Sequence, residues 1–434
     1  MVTIVFLIVE IYYLNGQNEI GKNLRLKFHW RSSMKTESNE IDIDLDNSQM
    51  PSEPINGLTA EQNKELDEEA VEITKGIVNS VKVEKDDNLS CSEESGFQME
   101  FEAFLNKKLD IENGEESEKI ATGIDIIDTL TGGGFTIGQL VQIVGLPGSF
   151  KSTLMAQIVG NAQKQYNGKL LCVYYDTEVA MTRKRLMQLG VNNPPLKPYD
   201  DITIEQLFQT IEAMAAYKEA KNIDIPSIIV WDSIANTSTL KERSTDEINQ
   251  TMGLKQKLLS QLIPRYLPRL KKYKICLWGV NQLRDSLSIG PYGPPPDLKG
   301  LGSFDIPGGK AIKFNSSTLL KLQNRGELRE EQYGFRGIQL EGIFIKNKSF
   351  QPLIKFDLIT DFSHGVDNFF TNYKLLADNK RLSTSAWNKL EALPEVKFRT
   401  KDAKQIYDTN PKFREAFDSE VKSVLKSVYT DKYQ

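Results

Sequence analysis

Residues 145–152, Gly-Leu-Pro-Gly-Ser-Phe-Lys-Ser, constrain this chain more than any other stretch. The apolar run Leu140-Val141-Gln142-Ile143-Val144 before them predicts a buried strand, and Leu154, Ile158 and Ala162 after them fall on one face of a predicted helix. Strand, glycine-containing turn, Lys-Ser and helix together make a phosphate-binding loop. In that reading Gly145, Leu146, Pro147, Gly148, Ser149, Phe150, Lys151, Ser152 and Thr153 line a nucleotide's phosphates, with backbone N–H groups and the positive end of the helix turned to them. Lys151 would reach the β/γ oxygens and the Ser152 hydroxyl would ligate Mg²⁺. Phe150 stands where a glycine usually precedes the lysine. A Cβ restricts the backbone there, so the expectation is φ below zero at Phe150, with its ring packed away from the phosphates. The plain alternative is an ordinary Gly/Pro turn entering a helix.

At 434 residues, 39% apolar and 26% charged, the chain has the length of two or three soluble domains. Cys91, Cys172 and Cys276 are far apart and odd in number, which predicts free thiols rather than a disulfide framework. His29 and His364 are the only histidines, which argues against a His-ligated metal and against His-based acid–base chemistry. Met1 to Leu14 is apolar but lacks a basic start and carries Glu10, so it reads as neither a signal peptide nor a membrane span. Residues 1–57 are taken as a disordered or misannotated extension, with Met34 as the expected start, and the location expected is cytoplasmic.

The net charge of −5 conceals an asymmetry. Residues 37–119 hold 24 Asp/Glu against seven Lys, a net of −17, while 120–434 carry +9. A basic core beside an acidic arm suits a polyanionic partner, with the arm as an internal competitor; a solvated tail has the same composition. Residues 58–119 are read as an acidic N-terminal helical or oligomerisation region with a helix over about 59–81, where Thr59-Ala-Glu-Gln62 resembles a capping box. From Ile120 strand candidates at 140–144, 170–175, 228–232 and 275–281 alternate with helical stretches, which predicts an α/β fold with a mostly parallel central sheet. Candidates at 318–323, 337–346 and 353–358 follow closely and predict an antiparallel extension, so 120–364 is the expected core and 365–434 a small C-terminal domain.

Three further strand ends carry chemistry. Tyr174-Tyr175-Asp176-Thr177-Glu178 ends the strand after the phosphate loop, and Glu178 there is placed to orient an attacking water. Ile228-Ile229-Val230-Trp231 ends in Asp232, the arrangement that supports Mg²⁺. The fourth strand ends in Asn281-Gln282-Leu283-Arg284, where Gln282 would sense the γ-phosphate and couple it to the Gly/Pro-rich loop 285–309. Arg284, Lys299 and Lys310 flank that loop with Leu287, Tyr292 and Phe304 interleaved, as in a single-strand-binding segment; a mobile lid is the plainer reading.

Ala121-Thr-Gly-Ile-Asp, Gly132-Gly-Gly, Met252-Gly253-Leu254, Asn281-Gln282-Leu283-Arg284, Gly308-Gly309-Lys310-Ala311-Ile312-Lys313-Phe314 and Lys346-Asn347-Lys348 resemble the RecA recombinase family in order and spacing over about 120–430. The Ser-Phe-Lys-Ser form of the loop resembles the phage UvsX branch, which implies a viral origin. The resemblance implies a RecA-type P-loop NTPase core and an ATP- and Mg²⁺-dependent recombinase that exchanges strands between single-stranded and double-stranded DNA. It also implies a homo-oligomeric helical filament with ATP between subunits, served by a single-strand-binding protein and a loader. By the resemblance Lys346 and Lys348 reach the neighbouring subunit's γ-phosphate. Lys241, Arg243 and Met252 belong to a first DNA loop at 238–252, and Leu287, Lys299, Gly308, Gly309 and Lys310 to a second at 285–309. Met252 and Leu287 act as wedges between bases, Lys257 and Arg284 contact phosphates, and Arg185 stands where the family often has an adenine-stacking tyrosine. Met252 and Leu287 serve equally as packing residues, and Lys346 and Lys348, alternating on one strand, equally make a solvated face. A hexameric helicase-type motor and a non-catalytic paralogue share the core fold and are the rivals.

Overall fold

The computed structural model describes residues 6–13, 24–31, 39–43, 118–191, 198–244, 253–285, 300–302, 304–383 and 387–432. The chain divides into two units, residues 1–111 and 112–434. In the first, β1 (Phe6–Tyr13), β2 (Leu24–Arg31) and β3 (Asn39–Ile43) form an antiparallel sheet in that order, with Phe6 opposite Arg31 and Leu26 opposite Ile43. These strands stand where the sequence reads as a disordered extension. Their cause is a period of two, Leu24, Leu26, Phe28 and Trp30 alternating with Arg25, Lys27, His29 and Arg31. The helix expected over 59–81 lies outside the described residues.

The second unit opens with a short antiparallel ladder, β4 (Lys119–Ile120) on β5 (Phe135–Thr136). Six strands then run parallel: β6 (Leu140–Gly145), β7 (Leu171–Asp176), β8 (Pro198–Tyr199), β9 (Ser227–Asp232), β10 (Ile275–Gln282) and, beyond the small ladder of β11 (Arg284–Asp285) with β12 (Phe304–Asp305), β13 (Thr318–Glu327). β14 (Ile338–Asn347), β15 (Lys355–Asp361) and β16 (Gly365–Val366) extend the sheet antiparallel to nine strands, in the order β16-β15-β14-β13-β6-β10-β9-β7-β8. The expected α/β core with its antiparallel extension is present.

Helices cover both faces of this sheet: α1 (Asp125–Thr131), α2 (Lys151–Gln165), α3 (Arg183–Gln188), α4 (Ile204–Lys221), α5 (Leu240–Ser244), α6 (Leu254–Lys272), α7 (Gly309–Asn315), α8 (Glu330–Tyr333), α9 (Asn368–Asp378), α10 (Ala403–Thr409) and α11 (Pro411–Val424). On β9, Ile228 and Val230 join the core beneath α2, while Ile229 and Trp231 join the one beneath α4 and α6. Burial on both faces removes the need for polar alternation, so these strands read as unbroken apolar runs. α4 is started by Thr203 and Gln206 in a capping box.

The apolar core continues without a break past residue 365. Phe370, Phe398, Phe413 and Phe417 share one buried cluster with Val141 and Leu154, and β17 (Leu382–Ser383), β18 (Asn388–Leu390) and β19 (Leu393–Phe398) form a small antiparallel sheet there. Cys172 and Cys276 are free, and burial pushes both thiols upward, Cys276 to about 12; Cys91 lies outside the described residues. Among the described residues no helix is long and apolar enough to cross a membrane.

Candidate nucleotide and DNA site

The phosphate loop leaves β6 at Gly145, where only a glycine fits: a Cβ would meet the Ser149 Oγ and lie 2.6 Å from the Leu322 carbonyl oxygen on β13. Gly148 holds φ +73 with open space around it. α2 begins at Lys151. Its Nζ is buried and donates to the Leu146 carbonyl at 2.9 Å and to Ser149 Oγ at 3.4 Å, so the loop's own oxygens occupy it. Burial lowers the Lys151 pKa, and the carboxylates of Glu178 and Asp232 act in the opposite direction.

Phe150 corrects the sequence reading. It caps α2 with φ 61 and ψ 18, in the left-handed region, where φ below zero is expected of a side chain. The turn from Gly148 into α2 therefore imposes the backbone that a glycine usually supplies, and the phenylalanine adopts it. Its ring packs on Phe362, just beyond β15, with centroids 5.8 Å apart and planes at 35°. A left-handed residue costs roughly 1–2 kcal/mol and an aromatic pair contributes roughly 0.5–1.5 kcal/mol. The two nearly cancel. Phe150→Gly is thus expected to change unfolding free energy by less than about 1 kcal/mol while leaving ATP turnover in place. Turnover found only in the variant would mean that the wild-type loop is inactive.

Asp232, at the end of β9, receives the Tyr174 hydroxyl on Oδ2 at 3.0 Å, while its Oδ1 is buried with no hydrogen-bond partner. Burial pushes its carboxyl up to about 6, and the Ser152 and Tyr174 hydroxyls pull it back. An orphaned carboxylate oxygen beside the first-turn hydroxyl of α2 is a donor set that a hard divalent cation fits, Mg²⁺ by its preference for one or two protein oxygens and retained water. Mg²⁺ there would neutralise phosphate charge. The peptide between Asp232 and Ser233 is cis.

Glu178 is the meeting point of three strand ends. Ser233 Oγ and Gln282 Nε2 both donate to its Oε1, each at 2.7 Å. Gln282, at the end of β10, is thereby joined to Glu178, the carboxylate proposed to orient water. Its neighbour Asn281 is fully buried and donates to the Pro307 carbonyl at 2.9 Å, at the foot of the 285–309 loop. Gln142 on β6 extends the network to the Ile312 carbonyl at 3.0 Å and the Ser316 hydroxyl at 2.6 Å. A polar chain thus runs from Glu178 to α7, whose start is held left-handed at Gly308 and Gly309.

The other sequence-predicted residues lie around this centre. Arg185 donates to the Ser363 carbonyl at 2.7 Å, beside Phe362. Lys346 donates to the Phe314 carbonyl and Lys348 is exposed, with Asn347 buried between them and bonded to the Leu130 carbonyl at 2.6 Å. The two lysines share the outward face, as alternation requires. Lys241 is exposed on α5, whereas Arg243 anchors that turn through the Asp201 carboxylate, the Ile202 carbonyl at 2.7 Å and Ser238 Oγ at 2.9 Å. Lys257, Arg284 and Lys310 are exposed; Met252, Leu287 and Lys299 lie outside the described residues. Residues that sequence reasoning passed over include Ser233, Tyr174 and Lys255. Lys255 donates to the Ala235 carbonyl at 2.8 Å and is lowered by burial to about 8. Their one signal is a polar group at a strand end or helix start next to apolar runs.

The RecA N-terminal domain family matches residues 102–367. The chain belongs to the RecA family. It is 29% identical over 253 residues to Protein RecA of Ehrlichia chaffeensis, covering 58% of this chain and 66% of that protein. It is also 29% identical over 252 residues to Protein RecA of Colwellia psychrerythraea, covering 58% and 68%. Protein RecA of the Wolbachia of Brugia malayi is 29% identical over 248 residues, covering 56% and 64%. The chain therefore spans about two thirds of the length of these curated relatives. The matched stretch contains the phosphate loop, Glu178, Asp232, Gln282 and the Lys346-Asn347-Lys348 strand end.

Proposed function

We propose that the chain is an ATP- and Mg²⁺-dependent DNA recombinase that assembles as a filament on single-stranded DNA, pairs it with homologous duplex and exchanges strands. Lys151, Ser152 and Asp232 bind the phosphates and the metal, and Glu178 positions the attacking water. Gln282 reports the nucleotide's state through Asn281 to the loop that ends at Gly308–Gly309. The observation that carries this reading is the polar chain from Glu178 through Gln282 and Asn281 to Pro307, because a nucleotide sensor wired to a second loop is what DNA-coupled hydrolysis needs. Lys346 and Lys348 act on the neighbouring subunit's nucleotide, Arg185 lies against the base, and the basic loops hold the DNA backbone without sequence preference. A single-strand-binding protein and a loader are the expected assistants, and the host cytoplasm the expected location. The Ser149-Phe150-Lys151-Ser152 form of the loop is what supports a phage branch of the family.

The test is ATP hydrolysis with and without single-stranded DNA, followed by a joint-molecule assay. Hydrolysis stimulated by single strands together with joint molecules is expected. ATP-driven unwinding would instead favour a helicase-type motor, and DNA binding without turnover would favour a non-catalytic paralogue.

A further inference from the structure

We infer that Ser233 is a positioning residue for hydrolysis: its hydroxyl, with the Gln282 amide, occupies one oxygen of Glu178 and thereby selects the other to face water. The inference rests on Glu178 acting as the water-orienting carboxylate. Ser233 has no exposed surface. A hydroxyl has a single proton to donate, and Ser233 gives it to Glu178 Oε1 at 2.7 Å, the same atom that receives Gln282 Nε2 at 2.7 Å. Two donors on Oε1 leave Oε2 as the oxygen available to accept a proton from water.

Ser233 is itself immobilised from three directions. Thr177 Oγ1 accepts its N–H at 3.1 Å and donates to its carbonyl at 3.2 Å, and Thr237 Oγ1 donates to the same carbonyl at 2.9 Å. Thr237 in turn is held by the indole N–H of Trp231 at 2.6 Å, and the Thr177 N–H reaches the Asp232 carbonyl at 2.6 Å. The ends of β7 and β9 are thus clamped past the last sheet hydrogen bond, with Glu178 as the projecting group. The two donors on Oε1 also differ in kind. Gln282 is half-buried at the end of β10, from where it would turn to a γ-phosphate, whereas Ser233 is fully buried and locked. When Gln282 turns away, Ser233 alone holds the carboxylate. Its contribution is therefore specific to the state that hydrolyses.

The test is a double-mutant cycle on the full chain with single-turnover ATP hydrolysis on single-stranded DNA. Ser233→Ala is expected to slow hydrolysis roughly 10- to 100-fold, the scale set by a misplacement of about 1 Å, with the Kd for a fluorescent ATP analogue changed less than about threefold. In a Glu178→Gln background the same substitution is expected to have less than about a twofold effect, because the group it acts through has gone. Ser233→Thr, which keeps the hydroxyl, should recover most of the rate, and thermal melting of each variant checks folding. An equal loss in both backgrounds, or no loss in either, would overturn the inference. If Glu178→Gln alone hydrolyses ATP at the wild-type rate, the assignment of Glu178 fails and the inference fails with it.

Discussion

Replacing Lys151 by alanine is expected to weaken ATP binding by about 2–5 kcal/mol, roughly 30-fold to several thousand-fold in Kd, and to abolish measurable turnover. The magnitude follows from burial. Lys151 Nζ sits among the Leu146 carbonyl, Ser149 Oγ and the fields of Glu178 and Asp232, so its charge is already desolvated before a phosphate arrives. A desolvated cation in a preformed loop needs little reorganisation to pair with phosphate. Without it, phosphates would enter a pocket whose remaining charges, Glu178 and Asp232, repel them. Lys151→Arg is expected to fail as well, because a planar guanidinium does not fit the space of a compact ammonium bonded to two loop oxygens. Isothermal titration with a non-hydrolysable ATP analogue measures the loss. Binding within threefold of wild type would show that the loop is not the nucleotide site.

How much of this was legible beforehand depends on how local each cause is. The strands of the central sheet announce themselves because burial on both faces leaves runs such as Ile228-Ile229-Val230-Trp231 uninterrupted. Glu178, Asp232 and Gln282 were legible as polar residues at strand ends, and parallel pairing of β7, β9, β10 and β6 sets their ends side by side. Phe150 was misread because its conformation is imposed by the turn between Gly148 and α2, and propensity at one residue yields to that closure. Ser233 was invisible in its role: the sequence shows a serine after an aspartate, and only the meeting of β7, β9 and β10 shows its proton going to Glu178. The strands within residues 1–57 were passed over for a different reason. Their period-two alternation lies among acidic and uniformly apolar stretches whose composition reads equally as an unstructured extension.

Asp232→Asn is expected to stabilise the nucleotide-free protein at neutral pH by about 3 kcal/mol while removing Mg²⁺-supported ATP binding. The carboxyl titrates at about 6 in the fold against an ordinary value of 3.8, because burial disfavours its charge more than the Ser152 and Tyr174 hydroxyls favour it. The sign follows from proton counting. Between those two values the folded state holds the proton that the unfolded state has released, so stability falls as pH rises through 6 and is fully present only below about 4. At pH 7 the wild type therefore carries the whole destabilisation, and an uncharged isostere escapes it. Asparagine can keep its oxygen on the Tyr174 hydroxyl, and its amide would then occupy the place of the orphaned Oδ1. The gap between variant and wild type in chemical denaturation should accordingly shrink from pH 7 toward pH 4. Metal binding runs in the opposite sense. Mg²⁺ requires the ionised carboxylate, so Mg²⁺-dependent nucleotide affinity of the wild type should drop as pH falls below about 6. A wild type whose stability does not change between pH 4 and pH 7 relative to Asp232→Asn would show that Asp232 is not held protonated by its burial. If the variant gains stability but keeps its Mg²⁺ dependence, the metal is held elsewhere. The expected outcome is a trade in which a buried, incompletely bonded carboxylate weakens the empty protein and, on the proposed function, would be offset by the cation it would hold.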